Sequence, residues 1–113
     1  MDVDKYQELA MRTLNPEIDK KELILNAAMG LCGESGEVID LVKKHLFQGH
    51  DLDDKKLIKE LGDVAWYLAE AATALNVNLS EILEKNHHLQ KCADDLVQVL
   101  YLSLFFRIEI SIV

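Results

Sequence analysis

Two stretches decide how this chain is read: Leu31-Cys32-Gly33-Glu34-Ser35-Gly36-Glu37-Val38 and Lys59-Glu60-Leu61-Gly62-Asp63-Val64-Ala65-Trp66-Tyr67-Leu68. Both lie in long apolar series of helical period. Leu23, Ala27, Leu31, Val38, Leu41 and Val42 mark the first series, and recurrence at steps of three and four is the signature of a helix face. Each stretch carries two carboxylates three positions apart beside a glycine, Glu34/Glu37 and Glu60/Asp63. Residues three apart share one side of a helix, so two such rods packed together gather four anions. Buried like charges repel and desolvate badly. A hard cation such as Mg²⁺, bound by oxygen ligands, is the natural reason to tolerate them.

Spacing alone does not single out these pairs, because Asp51/Asp54 and Glu81/Glu84 share it. Those two pairs read as solvated helix starts. At about 100° per residue, however, Glu34 falls within the arc of Leu31, Val38 and Leu41, with Glu37 at its edge. Glu60 shares an arc with Leu57, Val64, Tyr67 and Ala71, and Asp63 borders it. Gly30, Gly33, Gly36 and Gly62 also fall inside predicted helices, where each costs ~1 kcal/mol relative to Ala. Close helix–helix approach is the expected compensation.

Working outward, the chain divides into four helices and a tail. The first runs from about Asp4 to Leu14 and ends at Asn15-Pro16. Asp19 with Glu22 forms a capping-box pattern opening the second, which continues to about Phe47 and stops at Gln48-Gly49-His50. Asp53 or Asp54 caps the third, which ends near Leu75 before Asn76. Asn78 with Glu81 opens a fourth, from Leu79 to about Lys91. This gives an all-α fold, a four-helix bundle-like domain over residues 1–95. Residues 96–113 form an atypical apolar tail, expected to be buried in the core or between subunits. Within it, Arg107 to Ile112 alternates like a strand, while 96–106 also suits a helix. A membrane helix needs ~20 apolar residues with few charges, and Arg107 and Glu109 count against one.

The 113 residues, half of them hydrophobic, suffice for one domain with its own core. A net charge of −8 excludes general nucleic-acid binding, which calls for a basic surface. Cys32 and Cys92 form no metal motif and are too few for a disulfide scaffold. They are expected as reduced, buried thiols. The N-terminus, Met1-Asp2-Val3-Asp4-Lys5-Tyr6, is too charged for a signal peptide, so the expected location is cytoplasmic. Glu84 and His87 make one Glu-x-x-His, where a di-iron carboxylate bundle needs two.

Taken together, the Leu31–Val38 and Lys59–Leu68 blocks resemble the MazG-type nucleoside triphosphate pyrophosphohydrolases of the all-α NTP pyrophosphatase superfamily. Their signature is E-x-x-E, a spacer, then E-x-x-D. The resemblance spans roughly residues 1–86. It implies a homodimer or homotetramer that hydrolyses a nucleoside or deoxynucleoside triphosphate to the monophosphate and pyrophosphate for nucleotide pool sanitation. It implies Mg²⁺, with Mn²⁺ as a substitute, on Glu34, Glu37, Glu60 and Asp63. Glu37, with Glu34, would serve the attacking water. Tyr67 then reads either as a nucleotide contact or as a packed core aromatic, and Trp66 as core or interface packing ahead of base stacking. Lys85 and Asn86 match a position associated with phosphate, against a plain exposed helix surface. After Asn86 the chain departs from the family, carrying His87 to Asp95 and the apolar tail in place of a basic Arg-Tyr-Pro segment. No P-loop is present, which excludes a Walker-type ATPase. A related phosphoribosyl-ATP or alarmone pyrophosphohydrolase and a non-catalytic helical interaction module are the competing readings.

Overall fold

The computed structural model describes residues 1–112, with side chains at all of these except 106 and 108–112. It contains α1 (Val3–Ala10), a 3₁₀ turn (Met11–Thr13), α2 (Lys20–Gln48), α3 (Asp54–Ala74) and α4 (Leu79–Ile112). The all-α reading holds. The chain forms two compact units, Met1–Ser80 and Glu81–Val113.

The helix ends follow from local chemistry. Asp2 caps α1 by accepting the Lys5 N–H at 2.7 Å. The tight 3₁₀ turn then ends at Leu14, whose backbone is extended, so α1 proper stops earlier than Leu14. The Asp19 carboxylate accepts the Glu22 N–H at 2.9 Å, and Glu22 reaches back to the Asp19 N–H at 3.4 Å. This reciprocal capping box satisfies two donors that an open helix end leaves unpaired. Gly49 adopts the left-handed conformation (φ 71°) that ends α2, a conformation nearly free of penalty for glycine. Asp53, rather than Asp54, caps α3 by accepting the Lys55 and Lys56 N–H groups at 3.1 Å each.

The start of α4 is capped by α1. Gln7 Oε1 accepts the Leu79 N–H at 2.7 Å, and Asp4 accepts the Ser80 N–H at 2.9 Å and the Ser80 hydroxyl at 2.8 Å. The Gln7 amide also donates to Thr73 Oγ1 and to the Val77 carbonyl. A carboxylate at a helix N-terminus meets both the unpaired N–H groups and the positive end of the helix dipole. The Trp66 indole N–H donates to the Ala10 carbonyl at 3.2 Å, fastening α1 to α3.

The core is small-grained. Leu23 and Ala27 of α2, Ala69, Ala72 and Ala74 of α3, and Leu79 are buried. Alanines at facing positions let two helix backbones approach closely, and the densest contact runs between α2 and α3. Of the four helical glycines, Gly30 alone sits against a neighbour. A methyl there would collide with the Tyr67 ring, whereas Gly33, Gly36 and Gly62 face open space. Close approach within the protomer therefore explains one glycine of the four.

Three expectations are corrected. The strand-like alternation at 107–112 is overridden by helix, since α4 continues to Ile112. A lone strand without partners leaves its backbone unpaired, while a helix satisfies its own. Of the two expectations for the tail, the core one fails for Leu96, Val97, Leu100, Tyr101 and Phe105, which are exposed in the protomer, while burial between subunits stays an expectation. Cys32 and Cys92 are free thiols, as expected, but exposed rather than buried. Among the described residues, no helix is long and apolar enough to cross a membrane.

Gly30→Ala should lower stability by ~1–3 kcal/mol through overpacking against Tyr67. Gly62→Ala, in open space within a helix, should raise it by up to ~1 kcal/mol. Urea unfolding of both variants checks the pair.

Candidate metal centre

Helices α2 and α3 run antiparallel, and their facing residues form rungs. On α2 the stripe is Asn26, Gly30, Glu34, each four residues on. On α3 it is Asp63, Tyr67, Glu70, so a step back along α2 meets a step forward along α3. Asn26 bonds to Glu70, Gly30 receives the Tyr67 ring, and Glu34 meets Asp63 and Glu60.

In this last rung the carboxylates of Glu34, Glu60 and Asp63 each offer an oxygen within 4.8 Å of the others. All three are partly buried. Beside them opens a cleft of about 340 Å³ lined by Glu34, Asp63, Trp66 and Tyr67. The two aromatic rings stand edge to face, 5.1 Å apart at 86°. Burial first, and then the negative charges of Asp63 and Glu60, hold the Glu34 carboxyl above its ordinary pKa. Lys59 offsets part of this repulsion, its ammonium lying 2.7 Å from Asp63 and 3.3 Å from Glu60. Its pKa is raised by these hydrogen bonds, the one to Asp63 first.

The donor set fits a small hard cation. It consists of oxygens only, with no imidazole or thiolate in the cluster. Octahedral Mg²⁺ holds oxygens at 2.0–2.1 Å, so opposite ligands stand ~4 Å apart, close to the spread seen here. Of the four carboxylates expected to converge, three do. Glu37 falls outside the cluster and is exposed. Tyr67 is partly buried and serves two roles at once, filling the space over Gly30 and walling the cleft. Trp66 packs on α1, as expected, and also lines the cleft. Lys85 and Asn86 stand exposed on α4 in the second unit. Lys43 and Lys44 pair with Asp40 on the α2 surface.

Three residues near this centre went unnoticed in the sequence. Lys59 adjoins Glu60 but is one lysine among many on a helix surface. Tyr6 of α1 has its phenol held above its ordinary pKa, first by burial and then by the charge of Asp63. Only the docking of α1 on α3 reveals that proximity. Glu70 is buried outright, and its place at i+7 from Asp63, on the same helix face, is the signal that could have found it.

The profile described as the MazG nucleotide pyrophosphohydrolase domain matches residues 24–92. The chain is 40% identical over 96 residues to the Gene 37 protein of Mycobacterium phage L5, covering 76% of this chain and 82% of that protein. No solved structure matches significantly. The chain belongs to the MazG nucleotide pyrophosphohydrolase family.

A carboxyl whose pKa is raised on folding loses stabilising protonation as pH rises, so the charged cluster weakens the metal-free fold at neutral pH. Glu34→Gln should therefore melt higher than wild type without metal at pH 7, and the difference should shrink in acid. Millimolar Mg²⁺ should raise the melting temperature of wild type by ligand linkage and leave Glu34→Gln nearly unmoved. Differential scanning calorimetry with and without Mg²⁺ checks both.

Proposed function

We propose that this protein hydrolyses a nucleoside or deoxynucleoside triphosphate to the monophosphate and pyrophosphate, with Mg²⁺ held by Glu34, Glu60 and Asp63. The observation that carries the proposal is the convergence of these three carboxylates beside an open cleft, in a chain of this family. Bound there, Mg²⁺ would neutralise phosphate charge and lower the pKa of its water ligands. The chain itself supplies position and proton handling. The water oxygen bonds to the α-phosphorus, the bond to the bridging oxygen breaks, and pyrophosphate leaves. Glu37, one turn outward from the triad and open to solvent, orients that water and takes its proton, with Glu34 beside it. Tyr67, on the cleft wall, bears on the nucleoside. Phosphate contacts at Lys85 and Asn86 rest on the family resemblance. The reaction suits sanitation of the cytoplasmic nucleotide pool, with residues 1–95 as the catalytic domain and 96–113 as its appended tail.

We also propose that the active form is a homo-oligomer. Leu25, Met29, Cys32, Gly36 and Ile39 follow one another at alternating steps of four and three along α2, and all are exposed in the protomer. Leu46 continues the stripe one heptad later, also exposed. This spacing is that of a coiled-coil seam, interrupted by Lys43 between Ile39 and Leu46, and an exposed apolar stripe of this length calls for cover. Gly36 leaves room on that face for a second copy to approach.

Assays on the common NTPs and dNTPs should release pyrophosphate and monophosphate with Mg²⁺ and none with EDTA. Asp63→Ala should lose at least ~100-fold in kcat/KM while staying folded, since it removes a metal ligand and relieves repulsion. Turnover unchanged in that variant would refute the assignment. In sedimentation velocity, wild type should run as a dimer or tetramer and Met29→Glu as a monomer. A monomeric wild type would refute the seam.

A further inference from the structure

Glu70 is the largest fully buried side chain of the described residues, with no exposed surface. Its two carboxylate oxygens accept from the single carboxamide nitrogen of Asn26, at 2.8 Å and 3.1 Å. Among the described residues, none of the salt bridges involves Glu70. Burying a carboxylate on a neutral partner is costly compared with an apolar side chain of the same size, so stability alone does not account for it. What the bond adds is direction. The fully buried residues nearest in sequence are small, Ala27 on α2 and Ala69 and Ala72 on α3, and Gly30 lies beneath the flat Tyr67 ring. Small alanine surfaces slide over one another at little loss, whereas the Tyr67 ring seated at Gly30 and the Asn26–Glu70 hydrogen bond, fixed in distance and direction, do not.

We propose that the Asn26–Glu70 bond is a positioning pair, setting the α2–α3 register that brings Glu34 on one helix to Glu60 and Asp63 on the other. Asn26 lies two turns from Glu34 and Glu70 two turns from Asp63, so rigid helix carries the constraint over ~10–12 Å on each side. A slip of one residue would shift Glu34 by ~1.5 Å along α3. That is comparable to the difference between a shared cation and a set of separate carboxylates. The inference rests on the reading of the triad as a metal site, and its test separates the two.

Mg²⁺ binding to the intact chain is measured by isothermal titration calorimetry, and unfolding by circular dichroism, on wild type and three variants. Asn26→Ala removes the donor. Asn26→Leu/Glu70→Met replaces both partners with apolar groups of similar volume, a change that is often neutral or stabilising, and it serves where Asn26→Ala does not fold. Glu70→Gln keeps an acceptor for Asn26. The positioning role predicts Mg²⁺ binding ~10-fold or more weaker in the first two, with the double variant melting no lower than wild type, and roughly threefold at most in Glu70→Gln. Wild-type affinity in the folded double variant would overturn it, leaving the bond merely structural. A loss in Glu70→Gln as large as in the double variant would also overturn it, because charge and not register would then matter. Absence of Mg²⁺ binding by wild type would remove the metal site itself, and this inference with it.

Discussion

Everything at the candidate site depends on how α2 and α3 lie against each other. Neither helix gathers a cation site alone: α2 contributes one carboxylate to the cluster and α3 two. The antiparallel pairing turns spacing along each helix into proximity between them. The same pairing accounts for Gly30, whose missing side chain is the space Tyr67 occupies, and for Glu70, which is buried because Asn26 stands opposite. Helix packing and site chemistry are thus one problem here, solved by three rungs of one ladder.

The electrostatics of the cluster work against the fold and in favour of a ligand. Three partly buried carboxylates raise one another's free energy, and Lys59 relieves this only from the rim, with most of its own side chain in water. A surface ion pair of this kind contributes little. The unrelieved remainder is a standing preference for a divalent cation. A site built this way gives up some stability when empty and regains it on binding.

How much of this was legible in the sequence depends on the range of each interaction. Signals carried by neighbours in the chain were readable: the Asp19/Glu22 capping box, the Gly49 stop and the Asp53 cap each involve residues within one turn. The carboxylate pairs were readable because helical spacing is local too. That Glu37 falls outside the cluster was not, because inward direction on a helical wheel says nothing about position along the axis relative to a partner helix. Glu70 was passed over because a glutamate on an apolar stripe looks like a solvated edge until its partner, 44 residues away, is placed. The alternation at 107–112 shows the opposite case: a local strand-like pattern yields to a helix already in progress, which satisfies its own backbone. Tyr6 and the capping of α4 by Asp4 and Gln7 depend wholly on tertiary docking.

That capping carries a consequence for how the chain assembles. The bonds from Leu79 to Gln7 and from Ser80 to Asp4 close loops of 72 and 76 residues, while the α2–α3 hairpin is joined by a short connection. Long closures carry more chain entropy and slow folding. The hairpin is therefore the natural nucleus, and α1, although it precedes the hairpin in the chain, has to wait for residues 73–80 before it finds its place. The N-terminal helix is the last piece of this unit to lock, and its arrival is what completes the first turn of α4.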